Sequence, residues 1–165
     1  MVPFAADLFI LLRRDLRCFV REIESFPDDA TLWRSLPGIS NSAGNLALHV
    51  VGNLRHFVGA VLGGTAYVRQ RDQEFAQRTG TRSEIVFLLE AALSDVETGL
   101  KALTDETLAQ PFPQSLMGLQ PPTARLLMHL STHLAFHLGQ AGYLRRALTG
   151  EAGATGGMAI QDLAG

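Results

Sequence analysis

Cysteine and lysine are almost missing from this chain of 165 residues: Cys18 and Lys101 each occur once. One cysteine excludes an internal disulfide framework and a cysteine-rich zinc site. Its place beside Phe19 in an apolar helical stretch reads as a buried, inert thiol. With so little lysine, a net charge of −2 and no basic stripe, the chain lacks the positive footprint of a protein devoted to nucleic acid. No uninterrupted apolar run reaches the roughly 20 residues needed to span a membrane. The first residues, Met1 to Asp7, lack a charged region followed by a long apolar core, and Asp7, Arg13, Arg14 and Asp15 interrupt them early. The expectation is a soluble cytoplasmic protein with no nucleic-acid or membrane partner. Alternating β-branched runs and Asn-Gly or Asp-Gly hairpin turns are also missing, which argues against a sheet. No Ser-His-Asp set, glycine-rich phosphate loop or EF-hand pattern occurs.

What is present is helical periodicity. Hydrophobic residues make up 47% and charged residues 18%, a balance that excludes overall disorder and suits one domain with a substantial core. Leu8, Leu12, Leu16, Phe19 and Ile23 recur at helical spacing from about Pro3 to Ser25. A second helix opens at Ser40-Asn41-Ser42, good N-cap chemistry, and stops at Gly63-Gly64. Thr81 and Glu84 form a capping box that starts a third, running to about Leu103. After a proline-rich stretch from Pro111 to Pro122, a fourth begins near Pro121 or Pro122 and ends near Gly150. These segments predict an all-α four-helix bundle whose long loops permit crossover connections. Residues 1–150 form the single domain, and residues 151–165 read as a flexible Gly/Ala-rich tail.

The chemistry rests on histidine. His133 and His137 lie four apart, one helical turn, and so share a face. His49 falls on the core side of the second helix with Leu46, Val50 and Asn53, where a buried imidazole needs a partner for its polar nitrogens. Three imidazoles converging from two helices would leave a metal with open positions, as catalytic sites do. A half-buried histidine bonded to a carbonyl is the simpler reading of the pair alone. Leu134 stands where a His-Glu-x-x-His protease has its glutamate, which makes proteolysis a poor fit. His56, two turns from His49, and His129, one turn before His133, are read as lying outside the shared set. Asn53 and Gln140, each about one turn from a candidate ligand, are positioned to orient it or simply to bond between helices. Among the loop residues Tyr67, Arg69, Arg71 and Gln114 to Gln120, candidate walls of a cleft, the arginines are expected to pair with Asp72 or Glu74 rather than with a ligand.

Taken in order, Asn41-Ser42, Leu46-x-x-His49-x-x-Gly52-Asn53-Leu54-Arg55, Arg71-Asp72-x-Glu74-Phe75 and His133-x-x-Phe136-His137-x-Gly139-Gln140 resemble the DinB/YfiT-like superfamily, and most nearly a branch of small bacterial proteins of unknown function. The resemblance spans roughly residues 41–148 and implies a four-helix bundle with crossover connectivity. It also implies three metal-ligand histidines at His49, His133 and His137, with zinc or nickel as the usual ion. Many such proteins carry adjacent histidines before the last Gly-Gln; here Phe136 replaces the non-ligand member. Members with assigned activities include metal-dependent transferases of low-molecular-weight thiols, such as bacillithiol and mycothiol, and a thiol-using maleylpyruvate isomerase.

Three functions stand side by side at this point. One is a divalent-metal-dependent, thiol-dependent S-transferase acting on small electrophiles such as epoxides or haloalkanes. Another is a non-catalytic dimeric module, linked to stress, that keeps the metal site as a relic or structural pin. The third is a metal-dependent hydrolase with the same ligands. Gly139 and Gly142 on an apolar helix permit close packing between subunits, so a homodimer is expected.

Overall fold

A computed structural model describes residues 1–155 and 160–163. Its long elements are α1 (Pro3–Glu24), α3 (Ala43–Leu54) continued by a π-helical segment (Arg55–Leu62), α5 (Arg82–Lys101) and α7 (Thr123–Thr149). Short helices α2 (Asp29–Leu32), α4 (Arg71–Ala76) and α6 (Asp105–Ala109) lie in the connections, and a 3₁₀ turn covers Ile160–Leu163. No strand forms among the described residues; two isolated bridges, Pro111 with Pro122 and Leu116 with Leu119, fold the proline-rich stretch back on itself. The protein is all-α, as its periodicity requires, and no described helix is long and apolar enough to cross a membrane.

Local chemistry starts and stops these helices. Pro3 opens α1, where its missing N–H is no loss. The Ser42 side chain accepts from the Asn45 N–H and caps α3, and Thr81 and Glu84 form the expected box on α5. Gly150, with φ of 75°, ends α7 in the left-handed conformation that glycine adopts without a Cβ penalty.

Packing sets the topology. α1 lies against α5 and α7, while α3 with its π extension lies against α7 and α5. Helices α1 and α3, and likewise α5 and α7, therefore face each other across the diagonals of the bundle, while α3 and α5 are neighbours. The connections 25–42 and 102–122 have to cross an end, which explains their length. Leu12, Phe19, Ile23, Val50, Leu54, Leu89, Val96, Leu127 and Leu134 fill the centre. Helix α5 meets the π segment at backbone distance: a Cβ on Gly99 would lie 2.1 Å from the Val58 carbonyl oxygen, so only glycine fits there.

Between α1 and α7 the core holds an ion pair. Arg145 Nε donates to Glu22 Oε1 at 2.7 Å, and both side chains are 2% exposed. The chain past α7 closes over it: the Gly153 carbonyl accepts from Arg145 at 2.6 Å, and Thr155 Oγ1 donates to Glu22 Oε2 at 2.6 Å. The end of the stretch read as a flexible tail, residues 156–159 and 164–165, lies outside the described residues.

Removing one partner of this pair strands a charge in the core. Arg145→Ala is expected to lower stability by about 3–5 kcal/mol, whereas Glu22→Leu combined with Arg145→Met should lose far less. Urea unfolding of the three proteins checks this. A loss below about 1 kcal/mol for Arg145→Ala would equate the pair with a surface contact.

Candidate metal centre

α3 and α7 run antiparallel, because Leu46 adjoins Gln140 and Leu144 while His49 meets His133. One turn of α7 presents His133 and His137 to the middle of α3, where His49 projects between them and Phe75 of α4. The bundle thus brings all three sequence-derived histidines together. His133 Nε2 lies 3.2 Å from His49 Nε2 and 3.1 Å from His137 Nε2. His56 and His129 stay outside this group. His56 Nε2 meets Gln114 at 2.9 Å, and the exposed His129 ring lies 5.9 Å from that of His133.

The partners of the outward nitrogens fix which nitrogen faces inward. His49 Nδ1 donates to Glu74 Oε2 at 2.9 Å, and His137 Nδ1 donates to Gln140 Oε1 at 2.7 Å. Each ring so held turns its Nε2 toward His133. Two of the separations among these nitrogens are therefore 3.1 and 3.2 Å. Tetrahedral coordination at a Zn–N length of about 2.0–2.1 Å sets ligand nitrogens about 3.3 Å apart. The donor set therefore fits a borderline divalent ion, and the three histidines form a group able to hold one.

Electrostatics agree. Burial, with His137, His49, His129 and Arg69 close by, pushes His133 down to about 4. His137 is also lowered by burial, against the opposing hydrogen bond to Gln140. Both rings are accordingly neutral, as ligands must be.

Glu74 is the residue that the sequence conceals. It sits on the six-residue α4, only 5% exposed, inside the polar run Arg69 to Phe75, where the sequence marks it only as a partner for an arginine. Arg69 clamps both its oxygens, Nε to Oε1 at 2.7 Å and Nη2 to Oε2 at 2.8 Å. Burial raises the Glu74 carboxyl, but the hydrogen bonds from Arg69 and His49 outweigh it and hold the group below the usual carboxylate range. The expected pairing of an arginine with Glu74 is met by Arg69, and the same carboxylate orients His49. Gly52 provides the space: a Cβ there would lie 2.0 Å from Glu74 Oε1. A glycine three residues after a candidate ligand is a sequence signal for a bulky group behind His49.

Gln140 takes the orienting role considered for it. Asn53 does something different: its Nδ2 lies 3.1 Å from His49 Nε2, on the inward side, and donates to the His49 carbonyl at 3.1 Å. Arg69 Nη1 holds its Oδ1 at 3.0 Å. Asn53 thus lines the inner face of the site.

A family model described as the DinB superfamily matches residues 11–141, most of the chain and all three histidines. No curated protein matches it.

Gly52→Ala would ordinarily stabilise a helix by up to about 1 kcal/mol. Here it should destabilise the protein and free Glu74 from His49, which urea unfolding and the His49 Nδ1 proton shift in NMR would show. A net gain in stability would refute the close fit. The metal-free protein should also weaken between pH 6.5 and about 4. In that window the unfolded His133 binds a proton that the folded one refuses, so stability falls as the pH falls. Comparison with His133→Phe, which should show a shallower fall, isolates this residue from His49, His137 and Glu74.

Proposed function

The chain belongs to the DinB superfamily, and from its histidine centre we propose that it is a divalent-metal-dependent enzyme, a thiol-dependent S-transferase acting on small electrophiles. The observation that carries the proposal is the convergence of three imidazole donors from two helices with no carboxylate or thiolate among them. A set of three protein ligands is the open arrangement of a reactive site, whereas structural zinc sites close the sphere with four.

A zinc or nickel ion held there would supply Lewis acidity, favouring the deprotonated form of a thiol or water that approaches it. The protein's own groups do the rest. Glu74 and Gln140 lock the rings of His49 and His137 in the tautomer that points Nε2 inward. Arg69 neutralises Glu74, so the histidine face is left without a compensating negative charge and favours an anionic sulfur nucleophile over a neutral one. Asn53, bonded through its amide to His49 and through its Oδ1 to Arg69, holds the inner side of the His49 ring in place. In the transfer, the thiol sulfur bonds to the electrophilic carbon, and the leaving group departs with the bonding pair.

A metal-dependent hydrolase uses the same donors with water in place of the thiol, and a non-catalytic module would hold the metal without turnover. Neutral ligands favour the first reading over hydrolysis, because no carboxylate faces inward to take a proton from water.

Purified protein is expected to carry close to one divalent ion per chain. His49→Ala and His133→Ala should each lose most of it and His56→Ala should lose none, as read by elemental analysis. In a cobalt-substituted sample, a low-molecular-weight thiol such as bacillithiol, mycothiol, glutathione or cysteine should produce an intense sulfur-to-cobalt charge-transfer band. Unaltered spectra with all four would remove the transferase reading and leave the hydrolase or module.

A further inference from the structure

Behind His137, on the side away from the converging nitrogens, the surface opens into a groove of about 480 Å³. It lies between α7 and the chain that leads into α3. Leu36, Ile39, Leu46, Leu144 and Ala147 form its floor and sides, and Tyr143 stands at its edge. The volume is that of small-molecule sites, and an apolar lining with few polar groups is their usual composition. Helix packing does not fill it: Ile39 and Tyr143 are 48% and 76% exposed, although both present apolar surface to it.

Its polar side chains are Ser40, Asn41, Gln140 and, at the edge, the Tyr143 hydroxyl, and none of the residues that line it is charged. Gln140 joins the groove to the histidine centre. Its Oε1 is committed to His137, while among the described residues its amide NH₂ meets no acceptor. Asn41 and Ser40 likewise make no side-chain hydrogen bond to a described residue, unlike the neighbouring Ser42 and Asn45, which satisfy each other. A pocket that pairs an apolar bed with free uncharged donors selects a ligand of the same character. A carboxylate or phosphate would enter with no cation to meet it, against the cost of leaving water.

We propose that this groove binds an uncharged, largely apolar small molecule, whose carbonyl or ether oxygen accepts from the Gln140 amide. Its assignment as the arm of the electrophile used at the neighbouring centre rests on the transferase reading; its assignment as a ligand site does not. Gln140 then acts as a positioning residue, one end on His137 and the other on the bound molecule.

The test uses prodan, a neutral naphthyl ketone whose fluorescence shifts in apolar surroundings, with the full chain. The parent should bind it saturably. Ala147→Trp, which fills the groove from an exposed helical position, and Ile39→Asp, which charges its wall, should each weaken binding about tenfold or more. Both should keep their zinc and their helical circular dichroism. His133→Ala should lose zinc yet keep prodan, so a failed metal centre and a failed groove give different results. Uncharged 2-acetylnaphthalene should displace prodan at least about tenfold better than 2-naphthoate does. Several outcomes overturn the proposal: no saturable binding by the parent, unaltered affinity in both groove variants, loss of prodan together with zinc in His133→Ala, or equal displacement by the two naphthalenes. A parent dimer that Ala147→Trp converts to monomer would also overturn it, by placing a second copy in the groove.

Discussion

Glu74 is the hinge on which the site turns. Its side chain accepts from His49 and twice from Arg69, and its backbone carbonyl accepts from Asn45 Nδ2 at 2.9 Å. Those bonds tie the connection that follows the π segment onto α3. Without them α4 would have little reason to stay: it is six residues long, below the length at which a helix holds itself in water. A carboxylate this buried is costly unless fully bonded. Arg69 meets that cost, and Gly52 leaves room for it. Ring orientation at His49, the stacking of Phe75 on it and the closure of the connection are therefore one arrangement.

The diagonal topology explains why the donors can meet at all. Two helices on a diagonal of the bundle hold their side chains too far apart to share an ion. Crossing the ends makes α3 and α7 immediate neighbours although residues 63–122 separate them. The α7 turn then supplies two donors at one level and α3 the third. The rigidity this needs comes from the leucine-rich centre on either side, with Leu46 and Val50 flanking His49 and Leu130 and Leu134 beside His133.

Much of this was legible in the order of residues. The four long helices fall within a few residues of their expected bounds, because apolar periodicity, the Thr81–Glu84 box and the Gly150 stop are local signals. His49, His133 and His137 were legible for the same reason, spacing on a helix face. Glu74 was not: it lies in a polar run with Arg69, Arg71 and Asp72, and composition alone gives such a run to solvent. Only the packing of α4 on α3 turns it inward. The π-helical turn Arg55–Leu62 was equally hidden, since eight residues of apolar patterning do not separate one helical period from another. Nor does a Gly- and Ala-rich stretch announce that its Gly153 and Thr155 meet Arg145 and Glu22, a contact between partners more than 130 residues apart in the case of Thr155.

The π segment bears on how this chain tolerates change in length. A π turn arises when a helix takes in an additional residue without breaking, and such turns gather near functional sites. Here it comes directly after the His49 turn and carries the wider winding past Gly99, ending where Gly63 touches the same glycine. A change of length within Arg55–Leu62 can be taken up as a change of winding, downstream of the donor and upstream of the connection to α5. The same event between His49 and Asn53, or between His133 and His137, would rotate one donor off the shared face and dissolve the set. Across lineages, the helix should therefore vary in length at its second half and hold constant in its first.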